Sequence, residues 1–370
     1  MRGRTLAALL LIGAAACSDT GTNAGGDDSG QTGVTGGKGE VGGSGVNPSA
    51  ALAASSARDC PQRCAFAIGD RAGEPAAREA ASVTEDAGVL LLGGSAPIRW
   101  SLSKGSRVLK TPDGRAGAMI NKQNGWGQAV GNAYGSPPSA TAWEPDGTPI
   151  ILSDRPYGPP LGGDATSIND NSVIVGTSTS HRAFRTHYQE GFRWLSESQS
   201  GANDVNFKGQ VVGYSTIGGA WHATLWAPDG KATDLGVLTG GWLYSVATAI
   251  SETGIVVGHS ANNGNQQGFI WTASEGLKAL PDGFIPSDVN HWGEVAGQLW
   301  QTGECAVYYK GYGLLKLPRL VTGSRECKAT SINSWGDVVG YEVFSPNGGR
   351  TYVAKAVLWT WGGNEGRYGF

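Results

Sequence analysis

From about residue 80 onward, short runs of apolar residues alternate with clusters of Gly, Asn, Ser and Thr. The clearest unit lies at residues 247–271. There an alternating small and apolar segment leads into Ser251-Glu252-Thr253-Gly254. A β-branched run ending in Gly258, a polar loop and a segment finishing on Trp271 follow. Period-two alternation and β-branched runs of this length, bounded by turn residues, predict strands. Variants of the unit recur. Aligned on the glycine that ends the β-branched run, they give Gly93, Gly131, Gly176, Gly213, Gly258, Gly297 and Gly340. The mean spacing, about 41 residues, is that of a four-stranded propeller blade. An all-β fold follows: a seven-bladed β-propeller of mostly four-stranded blades.

Within each unit the strands are named A (before an Asn or Ser turn), B (ending in the glycine), C (ending in an aromatic) and D. Turns such as Asn124-Gly125-Trp126-Gly127 and Asn333-Ser334-Trp335-Gly336 join A to B. Asn bonds its own backbone at the start of such a turn, and Gly supplies positive φ at its end. Strand C carries a small residue, or once Pro97, three positions before its aromatic. The pairs read as Pro97/Trp100, Ala140/Trp143, Gly191/Trp194, Ala223/Trp226, Gly268/Trp271, Ala306/Tyr309 and Ala356/Trp359. One large ring per blade fits packing between blades. Unit three leaves almost no room for strand D, and unit seven leaves none. The strand-like segment Ala65-Phe66-Ala67-Ile68 is therefore expected to complete blade seven and close the ring; the alternative is an open array capped by that segment.

Alternating strands place the A–B and C–D turns on one face and the B–C and D–A loops on the other. The second set includes residues 132–139, 153–163, 177–190, 237–245 and 342–350. Varied loops on a rigid scaffold are where binding concentrates, so Tyr134, Tyr157, Trp242, Tyr244, Trp300 and Phe344 form the expected ligand face. Rings beside Asn, Asp and Gln suit the apolar C–H face of a sugar, or they cover loop backbone. Trp126, Trp292 and Trp335 lie on the A–B turns, where recurrence points to packing.

Composition supports the β reading and adds an address. Sixty of 370 residues are Gly, thirteen are Trp and two are Met. A formal net charge of −3 carries no electrostatic footprint for nucleic acid. Residues 1–16 hold Arg2 and Arg4, then an apolar stretch too short to span a bilayer stably. They end in Ala14-Ala15-Ala16 before Cys17, which resembles the lipobox of bacterial lipoprotein signal peptides. The resemblance implies that Cys17 is lipidated and anchors the chain at the cell envelope, on the outer-membrane surface or the periplasmic side. An ordinary secretory signal is the alternative. Residues 17–57 are rich in Gly, Ser, Thr and Asp and read as a flexible tether, leaving residues 58–370 for the propeller.

Four cysteines remain, an even number in an exported chain, and three pairings are open. Strand order puts Cys305 and Cys327 at one end of a blade, favouring Cys305–Cys327 and leaving Cys60–Cys64. A zinc site is the competitor, but the spacing is poor for one.

The repeats resemble bacterial extracellular repeats named HAF after a His-Ala-Phe tripeptide. The best match is His222-Ala223-Thr224-Leu225-Trp226, followed by Asp234-Leu235-Gly236 and residues 247–258. The resemblance implies an exported repeat protein and no reaction. Gly258-His259-Ser260 looks like a nucleophile elbow. Gly176-Thr177-Ser178 and Gly213-Tyr214-Ser215 occupy the same repeat position, however, so the fold explains Ser260. His222 with His259, and His181 with His187, are the candidate metal or proton-shuttle pairs, without supporting carboxylates. No phosphate-loop, dinucleotide or zinc-protease motif is present. The expectation is a monomeric, non-enzymatic binding or scaffold module for an envelope glycan or protein, requiring no cofactor. The alternatives are a glycan hydrolase or lyase on the same scaffold and a purely structural surface module.

Overall fold

The computed structural model describes residues 16–17, 63–68, 79–84, 88–93, 96–101, 105–187, 191–345 and 352–361. The signal residues 1–15, the tether 18–57 and Cys60 lie outside the described residues, as does the Cys64 side chain, so the Cys60–Cys64 pairing does too. The described chain is a ring of seven antiparallel sheets, a seven-bladed β-propeller. Blade four is typical: A is Ser200–Val205, B Val211–Ile217, C Ala220–Trp226 and D Ala232–Gly236. Blade seven has A at Glu326–Ile332, B at Val338–Phe344 and C at Val353–Trp361. Its fourth strand is Arg63–Ala67, antiparallel to Val353–Trp361 with Ala65 opposite Trp359. Ala16–Cys17 adds two rungs outside it. The ring is thus closed by chain from before blade one. Ala65 is buried in the core between blades six and seven, and Ile68 in the core between seven and one.

The hydrophobic core is divided into seven wedges, one at each blade interface. Burying an aromatic ring in each wedge removes a large apolar area from water. Trp100, Trp143, Trp226 and Trp359 fill this role fully buried. Trp143 and Trp359 also donate their indole N–H to the preceding blade, at Lys110 O and Pro318 O, both 2.8 Å away.

The repeat glycine has a steric cause. Strand A carries a β-bulge in every blade, at Ala81, Asn121, Thr166, Asn203, Thr248, Ser287 and Thr330. Such a bulge kinks the strand, and the carbonyl two residues before it comes against the B-strand glycine. A Cβ on Gly213 or Gly340 would sit 2.0 or 1.9 Å from the carbonyl oxygen of Gly201 or Lys328. At Gly176 and Gly258 it would also meet the ring of Phe184 or Phe269, at 2.6 Å. The third position of the HAF-like tripeptide sits opposite this glycine, as Thr224 opposite Gly213 shows.

Four expectations are corrected. In blade one the ladder sets Leu91, not Gly93, opposite Ala80 at the repeat position. In blade three, strand C is Ala183–His187 and Gly191–Trp194 is strand D, so Trp194 is not its C-strand ring and a D strand exists. Phe184 opposite Gly176 marks the right register, and Thr186 holds the aromatic's rung. The B–C connection of blade three is accordingly a tight turn rather than the long loop expected at residues 177–190. In blade six the rung belongs to Tyr308, one residue before Tyr309.

Cys305 and Cys327 form a disulfide across the interface of blades six and seven, with Cα atoms 5.5 Å apart. The same lattice point carries a hydrogen bond elsewhere. Ser200 Oγ accepts from Ala183 N at 3.0 Å between blades three and four, and Ser245 Oγ from Ala223 N at 2.8 Å between four and five. The small C-strand residue is needed because the next blade's strand A packs directly on it.

Candidate functional site

The ring leaves a central channel with two unlike mouths. At the A–B mouth the turn asparagines form a belt. Asn169 Oδ1 accepts from its own blade at Val173 N, 2.9 Å, and its Nδ2 donates to the next blade at Asn206 O, 2.7 Å. Asn124, Asn206, Asn290 and Asn333 repeat the arrangement, reaching Asn169, Ser251, Asn333 and Thr84. The turn glycines take positive φ as expected, +85° at Gly127 and +77° at Gly336, and Ser172 takes +58° in blade three.

Beneath the belt lie two adjoining cavities of about 190 and 110 Å³ that share Ser82, Lys122, Asp288 and Ser331. Lys122 Nζ lies 2.5 Å from Asp204 Oδ1, which also accepts from Ser167 Oγ at 2.7 Å, while Asp204 Oδ2 accepts from Ile250 N at 3.0 Å. Asp288 accepts from Val289 N at 2.9 Å and Ile332 N at 3.0 Å. Burial alone would lower the Lys122 pKa. Asp204 and Asp288 more than offset it, holding the ammonium above the ordinary lysine value. Burial pushes the Asp288 carboxyl up, Lys122 opposes this, and Asp204 adds to it. Each oxygen of Asp204 and Asp288 therefore already has a donor, and the group works as an internal ion cluster tying blades two, four and six together. Around this mouth stand Trp126, 71% exposed, with Phe207, Trp292 and Trp335. Trp126 and Trp292 donate their indole N–H to the next blade, at Asp170 O and Ser334 O, which fixes the rings.

Toward the long-loop face, the residue that follows the repeat glycine on strand B is Asn132, Thr177, Tyr214, His259, Gln298 or Tyr341, each half-buried. Burial pushes the Tyr214 hydroxyl up, and burial with Glu79 and Glu326 pushes Tyr341 up to about 12. Burial pushes the His259 imidazole down from 6.5. At neutral pH all three are uncharged. Tyr214 packs on Trp221 at 4.7 Å between ring centroids, and Trp221 meets Tyr244 edge-on at 6.3 Å. Trp221 remains 40% exposed.

All six ring residues expected for a ligand face belong to the loops or strand ends of this side, but no single groove gathers them. Tyr134 and Tyr157 are exposed in blade two, Trp300 is exposed in blade six, and Phe344 is half-buried at the end of strand B in blade seven. Trp242 packs against the wedge between blades four and five. Among the described residues, Tyr244 is the one of the six that joins an aromatic cluster, with Tyr214 and Trp221. Neither partner was signalled by loop position, because both lie within strands. Their signal is the strand pairing, which sets Tyr214 opposite Ala223 and Trp221 opposite Thr216 on one hairpin.

The histidine pairs do not assemble. His181 sits in the B–C turn with φ +55°, and His187 ends strand C at the opposite face. His222 Nδ1 lies 2.9 Å from Asp234 Oδ2, and Asp234 Oδ1 accepts from Gly236 N at 2.8 Å. That pair closes strand C on strand D, so it belongs to the scaffold. Among the described residues no group of three or more His, Cys, Asp or Glu is placed to hold a metal ion.

No protein-family model and no curated protein matches this sequence. Solved structures do resemble the fold. A streptogramin B lyase matches at TM-score 0.55 and 10% identity, over 81% of this chain and 98% of the lyase. A catalytically inactive virginiamycin B lyase from Staphylococcus aureus, with quinupristin, matches at 0.53 and 10%, over 80% and 98%. YCF48 bound to D1 peptide matches at 0.50 and 13%, over 80% and 94%. At these identities the likeness shows the fold alone, and the class is that of the β-propellers.

Proposed function

We propose that the chain is a non-enzymatic glycan-binding module, held at the bacterial envelope by a lipidated Cys17 and binding through its long-loop face. The Tyr214–Trp221–Tyr244 cluster carries this reading. Aromatic faces without charged neighbours suit the C–H surface of a neutral sugar, and here Tyr214 and His259 are uncharged at neutral pH. Of the carboxylates at the channel, Asp204 and Asp288 are committed to backbone N–H groups, Ser167 and Lys122, and Asp170 and Glu252 each hold a backbone N–H of a neighbouring turn. Their engagement in the scaffold favours binding over hydrolysis.

The test is a glycan array probed with the purified chain, followed by titration of any hit against Trp221→Ala. Loss of one stacking ring should weaken binding about tenfold. An unchanged affinity would remove the cluster from the site, and turnover of a bound glycan would replace the binding reading with the hydrolase or lyase one. Release of the Cys17→Ser chain from the membrane fraction tests the anchor.

A further inference from the structure

The A–B face carries large rings that the reading above does not use. Trp126, Phe207, Trp292 and Trp335 stand exposed on the turns of blades two, four, six and seven. Tyr312 stands exposed on the C–D turn of blade six, which emerges on the same side. Trp126 and Trp292 have already given their indole N–H to a neighbouring turn, at 2.8 and 3.0 Å. What they offer to solvent is apolar ring face, with no donor left to satisfy. The charged residues at the tips of the described A–B turns are Asp170, Lys208 and Glu252. Both carboxylates are tied to a neighbouring turn, at Gly125 N and Phe207 N. Rings held at turn tips around a propeller lie on one broad surface and not in a groove. A planar partner meets all of them at once, whereas a peptide or a glycan chain meets one or two.

A second observation concerns where the chain enters the ring. Strand C of blade seven follows a B–C loop and ends at Trp361, on the A–B side. Arg63 lies opposite Trp361, so the fourth strand of that blade begins on the A–B side. Cys17 lies opposite Cys64, one rung further in. An acyl chain carried on Cys17 therefore starts from the A–B end of blade seven.

We propose that the A–B face lies on a lipid bilayer, with its turn rings among the headgroups and the long-loop face turned away from the membrane. Trp and Tyr favour the membrane–water interface, and apolar faces settle at the boundary of headgroups and acyl chains. An indole whose N–H is bonded within the protein brings no unpaired donor there. The rings orient the chain while the acyl group holds it. This orientation rests on the Cys17 anchor proposed above, and the ring contact is measurable without that anchor.

Tryptophan quenching by phospholipid spin-labelled near the headgroup, in vesicles of phosphatidylethanolamine and phosphatidylglycerol, tests the contact. The acylated chain on these vesicles should be quenched, and Trp126→Ser/Trp292→Ser should remove much of the quenched fraction. Trp221→Ala and Trp300→Ala, on the long-loop face, should leave it unchanged, which decides the face even where the double variant misfolds. The Cys17→Ser chain should bind the vesicles weakly and reversibly, and the double substitution should weaken that binding about tenfold. Quenching carried by Trp221 or Trp300 would put the other face on the bilayer, and an acylated chain without quenching would leave the rings in solvent; either result overturns the proposal. Failure of Cys17 to take an acyl group would remove the anchor alone. Vesicle binding of the unacylated chain that depends on Trp126 and Trp292 would then still support the docking face, and absence of that binding would overturn it.

Discussion

The two mouths of the channel come from the same repeat, yet they are constrained differently. At the A–B mouth Asn124, Asn169, Asn206, Asn290 and Asn333 perform one task in five blades. At the other mouth the position after the repeat glycine is Asn132, Thr177, Tyr214, His259, Gln298 or Tyr341. An asparagine whose carbonyl oxygen caps its own turn and whose amide reaches the next blade answers two fixed backbone groups, and few side chains do both. The side chain after the repeat glycine meets other side chains, as Asn132 meets Asp164, and no fixed backbone pair demands one residue type there. The difference teaches where function can vary on this ring: at positions whose neighbours are solvent or each other, and not at positions whose partners are backbone.

Substitutions can break or sharpen that contrast. The largest effect is expected at Gly340→Ala, where the new Cβ meets Lys328 O and the strand must move. A loss of about 3 kcal/mol or more in urea unfolding is expected, and a loss below about 1 kcal/mol would show that the bulge is not what demands glycine. Next, Asn169→Ala should cost about 2 kcal/mol, because Asn206 O and Val173 N lose partners in a buried setting. Thr177→Ala at the other mouth should cost under about 0.5 kcal/mol. Equal costs would erase the distinction between the mouths.

The smallest effect concerns pH. Burial lowers the folded-state pKa of His259 below 6.5. Its stability contribution is therefore present above about pH 6.5 and is lost as pH falls through the folded value. His259→Gln, the residue type that blade six carries as Gln298, should flatten the acid limb of a stability–pH curve. An acid limb identical in the two chains would sink the burial account of His259.

The repeat made much of this legible and also misled where it was imperfect. Gly131 to Gly340, the Asn turns and the closing strand Arg63–Ala67 were readable because each answers a local backbone need or fills a gap in strand count. Cys305–Cys327 followed from strand direction. Leu91 escaped because a glycine two positions on, Gly93, mimicked the signal. Trp194 misled because a small residue three positions before a ring also describes a D strand, and there Arg182 lies over the indole at 4.5 Å. The asparagine belt was half legible: the turn-capping bond is local, while its second bond goes to a residue 37 to 45 positions away, or 249 where Asn333 reaches Thr84.

The sequence by itself determined the number of blades and, outside blade three, the order of strands within them and the side on which the loops emerge, because period-two alternation and turn chemistry act over a few residues. Only the tertiary structure decided which side chains meet across blades: Lys122 with Asp204, and Trp221 with Tyr244. Those contacts depend on closing a ring of seven wedges, where a bulge in strand A turns one residue toward the channel and the next toward the neighbouring blade. No local pattern encodes that angle; it is set by how the sheets twist and pack once all seven are present.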